Sequence, residues 1–231
     1  MRIENLVAVA SGVFLAALPA YAQSTFQNLD FEQANPINVG TPLQPFFVTS
    51  ASALPYWTVT IGGVLQTTIT ENAPSTGTPW VMLVGPSGAG GGSGSVAIDG
   101  DYSVLLQSSY FSSLPSISQT GTIPVGTQSL LFEAEPGLGT LDVFIGTQIV
   151  SFSAIGSEAN YTLYAAGISA WAGDTEQLTF TALESDSGMN NWEIDDISFS
   201  PNAVPEPSPP ALTGIGGMLF ALWRRFAPKR P

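Results

Sequence analysis

Residues 57–70 read WTVTIGGVLQTTIT, and this stretch decides the fold class. Two runs rich in β-branched residues flank Gly62-Gly63, a pair that supplies the positive φ angles a two-residue hairpin turn needs. The segment therefore reads as two strands joined by a tight turn, with Trp57 alternating inward. The same grammar continues along the chain in WVMLV, YSVLLQ, SISQTGTI, QSLLFEAE, LDVFI, QIVSF, YTLYAA, QLTFTA and WEIDDISFS. Turn residues bound most of these runs, at spacings typical of a sandwich. The nearest thing to a helix, YAAGISAWAGDTEQ, holds two glycines and reads as a loop crossing a sandwich edge. The expected fold is all-β, an antiparallel β-sandwich occupying residues 23–201.

Both ends differ from this body. Arg2 opens a short basic region, Leu6–Leu18 is apolar, and Ala20-Tyr21-Ala22 has the small-x-small form of a signal-peptidase site, so 1–22 is expected to be a signal peptide with Gln23 as the mature start. Residues 202–210 form a proline-rich linker, and 211–231 an apolar stretch with a basic end, expected as a short helix.

The five Lys and Arg residues all lie in these ends: Arg2, Arg224, Arg225, Lys229 and Arg230. There is no His, so Gln23–Ser208 carries 17 acidic side chains, the 18 of the chain less Glu4, and no cation. Such a surface repels phosphate backbones and releases no counterions, which argues against a nucleic-acid partner. The chain has no cysteine, so an exported fold must stand on packing alone. A body of this length buries close to ~70% of its unfolded surface.

The missing residue types limit chemistry as well. Without His or Cys there is no Ser-His-Asp triad, no thiolate nucleophile and no ordinary zinc site. Carboxylates remain. Glu133 and Glu135 point the same way on one strand, either as a glycosidase pair or as the solvated face of an edge strand whose Leu130, Phe132 and Ala134 point inward. Hard oxygen ligands suit calcium, and Glu32 near the first run with Asp195-Asp196 in the last are candidate sources. The other reading of Asp195-Asp196 is a bulge at a solvated edge that binds nothing. Among the aromatic residues, Trp57 and Trp192 are expected in the core, while Tyr110, Phe111 and Trp171 adjoin loops and are candidate platforms for a sugar face. The glycine-rich run Gly85–Ser95 lacks a complete phosphate-binding motif and reads as a surface loop.

Two resemblances add to this reading. VPEPS, a short apolar stretch and Arg224-Arg225 resemble, in that order, the PEP-CTERM sorting signal of Gram-negative bacteria. The resemblance implies handling by an exosortase that recognises Pro205-Glu206-Pro207, transient membrane insertion of the C-terminal segment, and delivery to the cell surface or an exopolysaccharide matrix. NLDFE, LPYWTV, DYSVLLQSS, SISQTGTIPVGTQSLLFEA and NNWEIDDISFS resemble PEP-CTERM proteins that carry a carbohydrate-binding-module-like, galactose-binding-type jelly roll. That resemblance implies an opening FE strand beside a closing DD strand, with a structural calcium shared by Glu32 and Asp195 or Asp196. The expected function is a non-catalytic, polysaccharide-associated surface or biofilm-matrix protein. A purely structural or adhesive protein and a carboxylate glycosidase are the alternatives.

Overall fold

Alternation of buried and exposed side chains along short strands produces two sheets that share one core. The computed structural model describes residues 25–204 apart from 75–76, 87–95, 110–112, 138 and 185–188. The larger sheet runs β1 (Phe47–Thr49), β4 (Thr68–Glu71), β5 (Trp80–Val84), β6 (Ser103–Ser108), β14 (Asn190–Ser200), β8 (Ser129–Glu135), β12 (Thr162–Gly167) and β11 (Phe152–Ser157). The smaller runs β10 (Gln148–Ile149), β9 (Leu141–Ile145), β13 (Thr175–Ala182), β7 (Pro115–Thr122), β2 (Thr58–Ile61) and β3 (Val64–Leu65). Successive strands from β6 to β9 alternate between the sheets, so that β6-β14-β8-β12 faces β7-β13-β9-β10. This is the nested order of a jelly roll, as expected from the sequence. Only β4 and β5 pair in parallel among the strand pairs.

The core lies between the sheets. Val104 and Leu106 of β6, Leu130, Phe132 and Ala134 of β8, and Trp192 and Ile194 of β14 point into it at alternate positions, opposite Leu178 and Phe180 of β13. Phe132 is its hub, with ring centroids 5.2 Å from Phe152, 5.4 Å from Tyr164 and 5.3 Å from Phe180. Burying each such ring stabilises the fold by roughly 2–3 kcal/mol, which is how a chain without disulfides stands.

The segment 57–70 forms the expected turn, with Gly62 at φ 59° and Gly63 at φ 76°. Its second half does not form one strand. Val64–Leu65 closes the hairpin in the smaller sheet, and Thr68–Glu71 crosses to the larger one. The expected FE strand is also absent. Residues 29–33 form turns and a bend, with Asn28 at φ 50° and Phe31 at φ 54°. They are nevertheless fixed to the core: Phe31 is fully buried 5.5 Å from the Trp57 ring, and the Leu29 carbonyl accepts from the Ile197 amide of β14.

Trp57 and Trp192 are buried as expected. Trp171 is not a free platform: it sits in a 3-10 turn (Ser169–Trp171), half-buried against the core. Tyr110, Phe111, the cleavage-site residues Ala20 and Ala22, and the whole sorting motif (Pro205, Glu206, Pro207, Arg224, Arg225) lie outside the described residues. Among the described residues no helix is long and apolar enough to cross a membrane.

Candidate metal centre

The face of the larger sheet turned away from the core carries a row of acids. In the β14–β8 ladder Glu193 lies opposite Glu135, and Asp195 opposite Glu133. Directly opposed like charges destabilise a sheet, and no cation in the body offsets them. Three of these four are nevertheless buried, Asp195 at 2% exposed, Glu193 at 5% and Glu133 at 8%, while Glu135 at the strand end is exposed. This corrects the reading of Glu133 as the solvated face of an edge strand, because β8 lies between β14 and β12 in the interior of the sheet.

Residues 96–102 form a strap over this row. Ala97 and Ile98 are buried, and the Ile98 backbone hydrogen-bonds Glu193. Further along, the amides of Asp101 and Tyr102 donate to Glu32 Oε1 at 2.7 and 3.0 Å. Gly100, at φ 54°, permits this close approach, since a Cβ there would stand 2.2 Å from Glu32 Oε1. Glu32 is thus the clamp of the strap and not a member of the tightest acid cluster.

That cluster is Asp99, Glu133 and Asp196, whose carboxylate oxygens lie within 4.8 Å of one another. A bulge creates it. The ladder slips between Asp195 and Ser198, and Asp196 adopts φ 46°, which swings it to the side Glu133 occupies. The expected pair Asp195-Asp196 therefore divides: Asp196 joins the cluster, while Asp195 lies beside it, with Oδ1 accepting from the Asp196 amide at 2.8 Å. The sequence alone does not single out Asp99, and it presents Glu133 only as a glycosidase or solvated carboxylate, not as a metal partner. Asp99 lies four residues after the glycine-rich run, far in the chain from Glu133 and Asp196.

The electrostatics are those of acids crowded without a counter-charge. Desolvation pushes Asp195 up to about 9, with repulsion from Asp196, Glu32 and Glu133 adding to it and the Asp196 amide opposing it. Desolvation also raises Glu133, which the Tyr161 hydroxyl hydrogen-bonds and partly relieves, while Asp196 and Asp99 repel it. Asp196 rises through desolvation and repulsion from Asp99, Asp30 and Glu32. Burial likewise lifts Glu193 to about 7 against a 2.5 Å hydrogen bond from Ser103. Two buried oxygens, Glu133 Oε2 and Asp195 Oδ2, have no hydrogen-bond partner among the described residues.

These three carboxylates could hold a metal ion. Oxygens on opposite sides of a hard cation with bond lengths of about 2.4 Å stand about 4.8 Å apart, which matches their spacing. Beside the strap, Val96, Ala97, Ile98, Glu135, Ala159, Asn160 and Glu193 enclose a polar cleft of about 650 Å³.

No family model matches this chain, and no curated protein does. Among solved structures, it is similar to an apo-form cyclase from Fischerella sp., at 11% identity and TM-score 0.42, over 79% of this chain and 98% of that one. A second likeness is to a Stig cyclase, Fisc, from Fischerella sp. TAU, solved with (3Z)-3-(1-methyl-2-pyrrolidinylidene)-3H-indole, at 13% identity and TM-score 0.40, over 76% and 94% of the two chains. A third is to the enzymatically active domain of bacteriophage CBA120 tailspike protein 4, at 13% identity and TM-score 0.37, over 63% of this chain and 19% of that one. The expectation of a non-catalytic protein is withdrawn in view of these likenesses to enzymes. At such TM-scores they assign this chain no reaction.

Proposed function

We propose that this chain is an exported, calcium-stabilised jelly-roll module of the cell surface or extracellular matrix, sorted through its PEP-CTERM tail by an exosortase and associated with polysaccharide. The convergence of Asp99, Glu133 and Asp196 in a body without one basic side chain carries the calcium part of this reading. Glu133 and Asp196 come from neighbouring strands and Asp99 from the strap, so one ion would join all three. It would replace the repulsion of the acid row by attraction and do the work of the absent disulfides. The order of Pro205-Glu206-Pro207, apolar stretch and Arg224-Arg225 supports the sorting part.

Thermal melts in calcium and in chelator test the ion. At a hundredfold excess over Kd, calcium stabilises by about 2.7 kcal/mol, which for a domain of this size raises the midpoint by roughly 5–10 °C. Asp99→Asn and Asp196→Asn should each remove most of that rise, and equal midpoints with and without calcium would refute the site. Mass spectrometry of the surface fraction tests the tail: processing removes peptides containing Arg224-Arg225, and their presence on the mature chain would overturn it.

A further inference from the structure

We propose that a second site, a cleft at the open edge of the sandwich, binds a neutral saccharide, with Trp80 and Phe46 supplying the ring surfaces and Gln66 an amide. The cleft exists because β4 and β5 pair only at Thr70–Met82 and Glu71–Leu83. The preceding residues, Thr68 and Ile69 on one strand and Trp80 and Val81 on the other, stay outside that ladder, and a space of about 360 Å³ opens there. The edge strand β1 supplies Phe47 to its wall, and Ile61 and Gln66 come from the β2–β3 hairpin and the residue after it. The volume falls within the range of small-ligand sites.

The lining identifies the ligand class. Nine of its fourteen residues are apolar, and the other five are glutamines and threonines, so no ionisable group faces the space. This neutrality contrasts with a body whose only charged side chains are carboxylates. An acidic polymer finds no cation here and is repelled by the surroundings. A purely apolar ligand leaves the polar rim unused, where the Gln66 Nε2 already donates to the Val64 carbonyl at 2.8 Å and its Oε1 is the atom that could accept from a ligand. A neutral sugar meets both demands, because its C–H face covers aromatic rings while its hydroxyls exchange hydrogen bonds with amides at the rim.

Trp80 provides the independent observation. It is 9% exposed, and its indole N–H has no partner among the described residues. The other two buried tryptophans are satisfied: Trp57 donates to the Asn28 carbonyl at 2.9 Å and Trp192 to that of Gly139 at 3.2 Å. An orphaned buried donor is costly, and here it belongs to the one such ring that lines the cleft. A hydroxyl oxygen brought in as the ring adjusts would accept from it.

The inference gives the proposed polysaccharide association its binding site and rests on that reading. The test is titration of the purified full-length chain with the neutral polymers laminarin, dextran and galactomannan and the acidic polymers alginate and polygalacturonate, followed by tryptophan fluorescence in calcium and in chelator. Binding of a neutral polymer in both media is expected, weakened tenfold or more by Trp80→Phe, which keeps a ring but removes the donor, and by Gln66→Ala, which leaves the core untouched. Failure of every neutral polymer to bind, retention of acidic polymers alone, or full binding by Gln66→Ala overturns the site. If the chain still fractionates with the matrix of producing cells while both variants behave as wild type, the association stands and this cleft is removed from it.

Discussion

The acid row and the open-edge cleft are opposite solutions to burying polar groups in one sheet. At the row, β8 is flanked on both sides, by β14 and by β12, the β14 ladder slipping only at the bulge after Asp195, and the difficulty lies in the side chains, four acids in two opposed pairs of which three are buried. At the cleft the side chains are neutral and the irregularity lies in the backbone, where β4 and β5 part. A strand held from both sides can keep like charges a few ångströms apart even across a bulge, which suits a small hard cation. An interrupted ladder leaves room for something larger and uncharged.

The sharpest way to break this comparison is to neutralise one acid under two conditions. In chelator, Glu133→Gln removes a like charge and should raise the melting point by several degrees. In calcium the same change removes a ligand and should lower it, so the sign of the effect reverses. The same sign in both media would dissolve the distinction between the two regions.

Next in size is the pH dependence. Glu193 and Asp195 hold their protons more tightly folded than unfolded, at about 7 and about 9. Their stabilising contribution is therefore complete below the unfolded carboxylate range near pH 4 and is lost as pH rises through those folded values. Melts in chelator should show the midpoint rising as pH is lowered from 9 to 5, and calcium should flatten that slope. A chelator profile that falls over this range contradicts the burial of the row.

A smaller effect is expected at the strap. Gly100→Ala places a Cβ against Glu32 in a left-handed backbone conformation, costing about 1–2 kcal/mol. Because Asp99 is the neighbouring residue, calcium affinity should fall with it, and calorimetric titration would detect the loss. The smallest effect belongs to the cleft, where Gln66→Ala should alter stability by less than about 0.5 kcal/mol, as for other surface changes. A larger shift would make Gln66 part of the scaffold.

The sequence made the jelly roll legible because strand alternation, Gly62-Gly63 and the inward tryptophans all obey local rules. It offered Asp195-Asp196 as candidate metal ligands or a bulge, because two adjacent acids interrupt the alternation of the last run. What it hid is non-local. Glu133 follows the alternation of a solvated face, and only the position of β8 inside the sheet together with the strap makes that face buried. Asp99 carries no local signal, since its role comes from the strap that carries it across the sheet. Trp171 resembled a loop aromatic because a 3-10 turn that packs on the core is written with the same residues as one that does not. The platform residues Tyr110 and Phe111 lie outside the described residues, so the structure bears on neither.

The last strand has a mechanical consequence. β14 is eleven residues long, lies between β6 and β8, and leads within a few residues to Val204. Tension applied beyond Val204 therefore pulls along this strand and loads the hydrogen bonds of two ladders together in shear, instead of peeling them one at a time from an edge. An ion bridging Asp196 to Glu133 would act as a rivet across one of those ladders, so the force needed to extract the strand should depend on calcium.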